Sequence, residues 1–198
     1  MHDITGPTSQ QELARILASP EYQEQQAERR ATMAAREAQF AAIEAPLIAE
    51  LREAGFDVPS VWSLRQLSEP YPVALPILLR HFAQGYPPQI SGGIGRALAV
   101  KYAAPFWSEI VALYRQAPDD DGRQGLAVAI ARIVKEAQLS EYVDLVSDPS
   151  NGESRVLLVR RLKSFKNPRG LETLKALTAD RVLGQEAQRA LAGKSPNS

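Results

Sequence analysis

Two short segments of the sequence contain residue types that could hold an anion or a metal ion. The segment SGGIG at 91–95 could expose backbone amides to a phosphate at the start of a helix. It has neither the GxGxxG spacing nor a Walker lysine, so we interpret it as a tight turn into a helix that its neighbours approach closely. The segment DDDG at 119–122 lacks the alternating ligands and the closing glutamate of an EF-hand. We interpret it as a solvated turn in which Asp121 caps the next helix.

The sequence has few of the side chains that common catalytic and metal sites need. It contains no cysteine and only two histidines, His2 and His81, which excludes disulfides, cysteine nucleophiles and histidine-rich zinc sites. His81 lies in an apolar segment with no acid or nucleophile at an informative spacing, so we interpret it as a packed or surface histidine. We therefore predict no catalytic residues, no cofactor and no metal, and we expect that the protein is not an enzyme.

The charges are distributed unevenly along the chain, although the formal net charge is zero. Residues 155–198 contain ten Lys and Arg residues against three acidic residues, an excess of seven positive charges that the rest of the chain balances. The densest run consists of Arg160, Arg161, Lys163, Lys166 and Arg169. Such a run is either a solvated face or a surface that steers an acidic protein or a nucleic acid towards the molecule.

The N-terminal part of the sequence predicts two helices. Leu13, Ile16 and Leu17 fall on one helical face, and Ser19 followed by proline ends this first helix and starts a second. Residues 21–42 are mostly Ala, Glu, Gln and Arg, so the second helix is long, but its apolar stripe is thin. It either lies on a surface or self-associates weakly. We expect Pro46 to kink or restart this helix and Gly55 to end it.

A weak internal repeat follows residue 70. Apolar segments begin at Leu75, Glu109, Tyr142 and Thr173, at spacings of 34, 33 and 31 residues. Each predicts a first helix, and each is followed by a turn with Gly, Pro or Asp and then by a second helix. The predicted second helices are 94–103, 125–137, 154–165 and 182–192.

This pattern resembles the HEAT-repeat family, including the bacterial HEAT-like repeats of phycobilisome lyases. The segments DPSNGESRVLL at 148–158 and AQRALAG at 187–193 match best. The resemblance implies an all-α fold, a short right-handed α-solenoid of about four HEAT-like helical hairpins. A single hairpin would leave its apolar face exposed, whereas stacked hairpins would bury these faces against one another. The implied divisions are an N-terminal helical extension (1–44), a degenerate capping hairpin (45–70), the HEAT-like repeats (71–193) and a flexible tail (194–198).

The resemblance also implies candidate partner-binding residues, because the second helices of a HEAT stack line its concave surface. Two tryptophans at predicted helix starts, Trp62 and Trp107, are either packing residues or aromatic anchors for a partner. The basic residues that would form a lane along the second helices are Arg96, Lys101, Arg132, Lys135, Arg160, Arg161 and Lys163.

We therefore expect a non-enzymatic protein–protein interaction module, an adaptor or an inhibitor of the immunity type, that binds an acidic partner protein through its concave or basic surface. The alternative is a nucleic-acid-binding protein related to the HEAT-like alkylpurine DNA glycosylases, although that family's catalytic aspartate with flanking aromatics cannot be placed on this sequence. A bilin lyase or chaperone has only the fold resemblance in its favour.

No apolar run approaches the roughly 20 residues of a membrane helix, and the first residues do not form a secretion signal. We expect a cytoplasmic protein without a membrane partner.

Overall fold

The computed structural model describes residues 9–193, and this part of the chain consists of helices joined by turns, without a β-strand. The predicted all-α class is confirmed. The predicted tail, 194–198, and the first eight residues of the predicted extension lie outside the described residues. The ten α-helices of the described part are α1 (Ser9–Ala18), α2 (Pro20–Glu53), α3 (Ala74–Phe82), α4 (Pro88–Ala97), α5 (Trp107–Gln116), α6 (Asp120–Ile133), α7 (Leu139–Ser147), α8 (Val156–Val159), α9 (Pro168–Ala176) and α10 (Gly184–Leu191).

The chain divides into two compact units, 1–43 and 44–198. The described part of the first unit contains α1 and the first part of α2. Ser19 separates the two helices, as predicted, because its hydroxyl accepts a hydrogen bond from the Tyr22 N–H (3.2 Å) and Pro20 takes the first helical position, where no intrahelical bond is lost. Three apolar side chains of α1 are between 43% and 57% exposed: Leu13, Ile16 and Leu17.

Helix α2 runs through Pro46 to Glu53 as one helix, so the predicted restart at Pro46 does not occur. A proline in a helix interior costs about 3 kcal/mol. Burial of the side chains that follow offsets this cost, at about 1.5–3 kcal/mol for each. Gly55 ends the helix as predicted, with a φ of 94° that favours glycine. The buried side chains after Pro46 are Leu47, Ile48 and Leu51.

The second unit contains four successive helical pairs, α3 with α4, α5 with α6, α7 with α8, and α9 with α10. The second helices α4, α6, α8 and α10 each contact the next in that order. Among the first helices, α3 contacts α5 and α7 contacts α9. The predicted second helices at 94–103 and 125–137 in fact begin earlier, at Pro88 and Asp120, and end at Ala97 and Ile133. Proline suits a first helical position, which explains the earlier start of α4.

Short 3-10 helices join or extend several α-helices. The predicted second helix at 154–165 is one turn of α-helix, α8, with a 3-10 helix on either side. Gly152, with a φ of 62°, lies inside the 3-10 segment that precedes α8. The 3-10 helices are Val61–Gln66, Lys101–Phe106, Glu136–Gln138, Pro149–Arg155, Arg160–Ser164 and Leu177–Ala179.

The glycines of segment 91–95 lie inside α4 and are buried, so the predicted turn at this position is wrong. The predicted close approach is confirmed. A Cβ atom on Gly95 would lie 2.7 Å from the backbone carbon of Gly125 and from the nitrogen of Leu126, and one on Gly125 would lie 2.7 Å from the oxygen of Gly92. Because backbone atoms cannot rotate away, α4 and α6 can pack at this distance only with glycine on both.

Arg155 braces the turn that leads into α8. Its side chain is buried, and it donates to the carbonyl oxygens of Gly152 (3.0 Å) and Val146 (3.2 Å). It also lies 3.6 Å from the Asp180 carboxylate, which precedes α10. One arginine thus connects the third helical pair with the fourth.

Candidate functional site

The basic residues of the 3-10 helix Arg160–Ser164 are bound to other parts of the chain. Arg160 forms an ion pair with Glu186 of α10. Arg161 donates to the carbonyl oxygen of Val134 (3.2 Å). Lys163 donates to the carbonyl oxygen of Ala190 (3.2 Å), near the end of α10. These three predicted partner-binding residues connect neighbouring helices, which limits their availability to a partner.

The other basic candidates do not lie together on the second helices. Lys101 lies in the 3-10 helix after α4, and Lys135 follows the end of α6, because both α-helices end earlier than predicted. Both lysines are exposed, as is Arg132 in the last turn of α6. Arg96 lies in the last turn of α4 and is half-buried. The prediction that Lys101 and Lys135 lie on second helices is therefore wrong.

The two tryptophans differ in exposure. Trp107 is only 6% exposed, and its indole N–H donates to the Glu141 carboxylate (2.7 Å). It is a packing residue that connects α5 with α7. Trp62 is 40% exposed, and the guanidinium of Arg96 lies over its ring, 5.6 Å from the centroid. Of the two tryptophans, Trp62 is the one that a partner can contact.

The remaining polar candidates have structural roles. Asp119, not the predicted Asp121, caps α6, because its carboxylate accepts a hydrogen bond from the Gly122 N–H (2.6 Å). His81 is 1% exposed, as a packed histidine should be. Its tertiary neighbours were not predicted from the sequence. Its Nδ1 lies 2.8 Å from the Tyr86 hydroxyl, and its Nε2 lies 3.3 Å from the Glu50 carboxylate. Within the part of the chain that the structure describes, no cluster of three or more His, Asp or Glu side chains could hold a metal ion.

An open, largely apolar groove of the second unit lies between α3 and α5. Its main part has a volume of about 550 Å³. A second cavity of about 230 Å³ continues it towards the ends of both helices and shares Leu113 with it. We call these two cavities together the α3–α5 groove. The main part is lined by Pro76, Leu79, Arg80, Phe106, Glu109, Ala112 and Leu113.

Both walls of the α3–α5 groove follow helical spacing. Phe82 lines the groove near the end of α3, and the other groove residues of α3 and its end include positions 76, 79, 80 and 83, while those within α5 are at 109, 112, 113 and 116. Each set is an i, i+3, i+4, i+7 row, which places it along one helix face. The segment LPILL at 75–79 is apolar on all sides, a pattern that marks a helix covered on more than one face. That pattern was the signal in the sequence for this groove.

Two charged residues stand on opposite walls of the groove. Arg80 is exposed and is already paired with Glu50. Burial raises the pKa of Glu50, but hydrogen bonds and charge from Arg80 and His81 outweigh it, and the pKa lies below its ordinary value. Glu109 is exposed and forms no ion pair with any other described residue. The α5 wall therefore offers an uncompensated carboxylate beside an apolar surface.

Comparison of the chain with family models, with curated proteins and with solved structures gave no match. Among the helices of residues 9–193, none combines the length and the apolar character that crossing a membrane requires.

Proposed function

We propose that the chain is a non-enzymatic protein-interaction module. In this proposal, residues 71–193 form a short right-handed α-solenoid of about four HEAT-like hairpins, and the α3–α5 groove binds an amphipathic helix of a partner protein.

The sequence separation of the residues that side-chain hydrogen bonds join supports the solenoid. Those bonds that connect one helical pair with another join residues between 26 and 40 positions apart. For example, Tyr114 bonds to Ser154 at a separation of 40, and Trp107 bonds to Glu141 at 34. These separations correspond to about one repeat of 31 to 34 residues. In a solenoid, each unit contacts only its neighbours along the chain. Such folds present extended surfaces to partners.

The observation that carries the proposed partner is the pair of helical rows that line the α3–α5 groove. Two helical rows that line one groove, with apolar side chains among them, can accept the ridge of a third helix, whose anchors recur at i, i+3 or i+4, and i+7. Helix α3 has nine residues, so the groove is about 13 Å long at about 1.5 Å per residue. It therefore accommodates two to three turns of a partner helix.

Charge determines which amphipathic helix fits best. Glu109 has no cationic partner among the described residues, whereas Arg80 is already neutralised by Glu50. A partner helix with a lysine or arginine beside its apolar stripe would pair with Glu109 at the edge of the groove. This expectation differs from the acidic partner that the basic residues predicted from sequence.

The test uses peptides of defined origin. A displayed library of random peptides of about 14 residues, which is about four helical turns, is selected on the full-length protein. We expect enriched peptides with apolar residues at i, i+3 or i+4, and i+7 and a flanking basic residue. Ala112→Arg places a long cation in the exposed middle of the groove at little cost in helix propensity, and it should weaken binding at least about tenfold. Ala176→Arg, at an exposed position of α9, is the matched control and should bind as the wild type does.

Two results would exclude the α3–α5 groove as the partner site. One is selection without enrichment of such peptides, and the other is equal binding to the wild type and the folded Ala112→Arg variant. Duplex DNA is titrated in parallel at low salt, where phosphate contacts are strongest. Tight DNA binding that Ala112→Arg leaves unchanged, with no peptide enriched, would favour a nucleic-acid-binding function instead.

A further inference from the structure

Another cavity of the 44–198 unit, separate from the α3–α5 groove, is lined by side chains that could bind an anion. It has a volume of about 290 Å³ and lies where the 3-10 helix Val61–Gln66, the end of α4 and the start of the 3-10 helix Lys101–Phe106 meet. We call it the Arg65–Arg96 pocket. The polar residues among those that line it are Arg65, Ser68, Glu69, Tyr71, Arg96 and Tyr102.

The two arginines of this pocket carry charges that other described residues do not neutralise. Arg65 and Arg96 form no ion pair with a described carboxylate, in contrast to Arg155 and Arg160. The guanidinium of Arg96 is held over the Trp62 ring and makes one long contact with the Gly92 carbonyl oxygen (3.4 Å). Its position is therefore fixed by packing, while most of its hydrogen-bonding capacity stays open to a ligand.

The aromatic wall of the pocket is ordered by hydrogen bonds. Tyr71 is 4% exposed and donates to the Ala97 carbonyl oxygen (2.9 Å). Burial, and then the neighbouring Tyr102, raise the pKa of Tyr71 to about 12, so its phenol stays neutral. The Tyr102 hydroxyl accepts the Tyr71 N–H (3.1 Å), and the two rings meet edge to face at 5.7 Å. The Tyr102 hydroxyl can rotate about its C–O bond, so it can donate to a ligand in the pocket while it accepts the Tyr71 N–H.

We propose that the Arg65–Arg96 pocket binds a small soluble phosphate monoester. Two guanidinium groups and a phenol O–H match the oxygens of a doubly charged phosphate, which arginine binds through paired hydrogen bonds. The partly exposed Tyr102 ring and the apolar side chains of Leu67 and Val100 also line the pocket and provide an apolar side for the organic group of the ester. Glu69 also lines the pocket and opposes the anion, so it limits the affinity.

This site is independent of the proposed partner groove, because the two share no lining residue. Ala112→Arg should therefore leave phosphate binding unchanged, and the failure of one proposal does not imply the failure of the other.

The test is a fluorescence titration of the full-length protein at constant ionic strength. Trp62 contacts Arg96 and should report occupancy, and Trp62→Phe identifies its share of the signal. We expect saturable binding of inorganic phosphate, tighter binding of phenyl phosphate and no saturation with acetate. Arg65→Gln should weaken binding at least about tenfold through loss of charge-assisted hydrogen bonds. Arg96→Gln should do the same, and since Arg65 is exposed, Arg65→Gln tests the pocket even if Arg96→Gln impairs folding.

Two further variants separate a specific site from general attraction. Glu69→Gln should strengthen phosphate binding, because it removes a like charge from the pocket. Arg132→Gln removes an exposed arginine outside the pocket and should have no effect. The proposal is overturned if acetate saturates the protein equally, if Arg132→Gln weakens binding as much as Arg65→Gln, or if vesicles containing phosphatidic acid bind while phenyl phosphate does not.

Discussion

Replacing Gly95 with alanine tests how closely α4 and α6 approach. The new Cβ would lie 2.7 Å from two backbone atoms of α6, the carbon of Gly125 and the nitrogen of Leu126. No rotamer change relieves such a contact, so the helices must move apart. Gly92, one turn earlier on α4, provides the milder comparison, because its Cβ would lie 3.2 Å from the Asp121 backbone oxygen and 3.2 Å from the Arg96 Nη1, distances that a shift of a few tenths of an ångström relieves.

The expected effect of Gly95→Ala combines two opposing contributions. Alanine in a helix interior is more favourable than glycine by about 1 kcal/mol. Over-packing costs about 1–3 kcal/mol, and the backbone contact at Gly95 places the cost near the upper value. We expect Gly95→Ala to lower the free energy of unfolding by about 2 kcal/mol and Gly92→Ala to change it by less than about 1 kcal/mol.

Urea unfolding followed by far-UV circular dichroism measures both variants. With a denaturant slope of about 2 kcal/mol/M, the midpoint for Gly95→Ala should fall by about 1 M. A midpoint at or above that of the wild type, with an unchanged slope, would mean that α6 does not pack directly on the backbone of α4. In that case, the free energy of unfolding would reflect only the higher helix propensity of alanine.

Two further predictions concern buried polar groups of the second unit. Arg155→Met should lower the free energy of unfolding by about 2–4 kcal/mol, because two carbonyl oxygens, those of Gly152 and Val146, lose their buried donor. Exposed Arg181→Met should change it by less than about 0.5 kcal/mol, and similar urea midpoints for both variants would contradict the bracing role. Burial raises the pKa of Glu44, against the hydrogen bond from the Val61 N–H, so the folded state binds this proton more tightly than the unfolded chain. The stability that the protonated Glu44 carboxyl contributes to the wild type is therefore present at low pH and is lost as the pH rises. Glu44→Gln should gain stability relative to the wild type as the pH rises through and above the ordinary glutamate pKa of about 4.3, and a difference that is constant or falls with pH would refute this sign.

The helical pairs could be predicted from sequence because each first helix repeats the same apolar pattern. Helix boundaries were harder, and α4 shows why. Its glycines were predicted to form a tight turn at the start of the helix, whereas they lie inside it and allow the predicted close approach; that Gly125 of α6 is the partner in this contact could not be deduced from the sequence. Pro46 was predicted to kink or restart α2, but burial of Leu47, Ile48 and Leu51 after it offsets the cost of a proline inside the helix.

The candidate sites were less predictable than the helices, since each depends on which residues meet in space. Arg160 belongs to the most basic run of the sequence, but its partner Glu186 comes 26 positions later. Trp107 is covered by a contact with Glu141, 34 positions away. The Arg65–Arg96 pocket joins segments separated by about one repeat, and neither arginine stands in a charge cluster. For the α3–α5 groove, the apolar segment 75–79 was a signal in the sequence, but no groove was predicted from it.

The most direct test of the proposed function is a map of where a selected helical peptide binds. Methyl chemical shifts of the wild-type protein are recorded with increasing peptide. Binding in the α3–α5 groove predicts large changes at Leu79, Ala112 and Leu113, with none at Leu171, an exposed leucine of α9. Changes centred on the 3-10 helix Arg160–Ser164 and α9, with Leu79 and Leu113 unaffected, would contradict the account and return the partner site to the basic C-terminal surface.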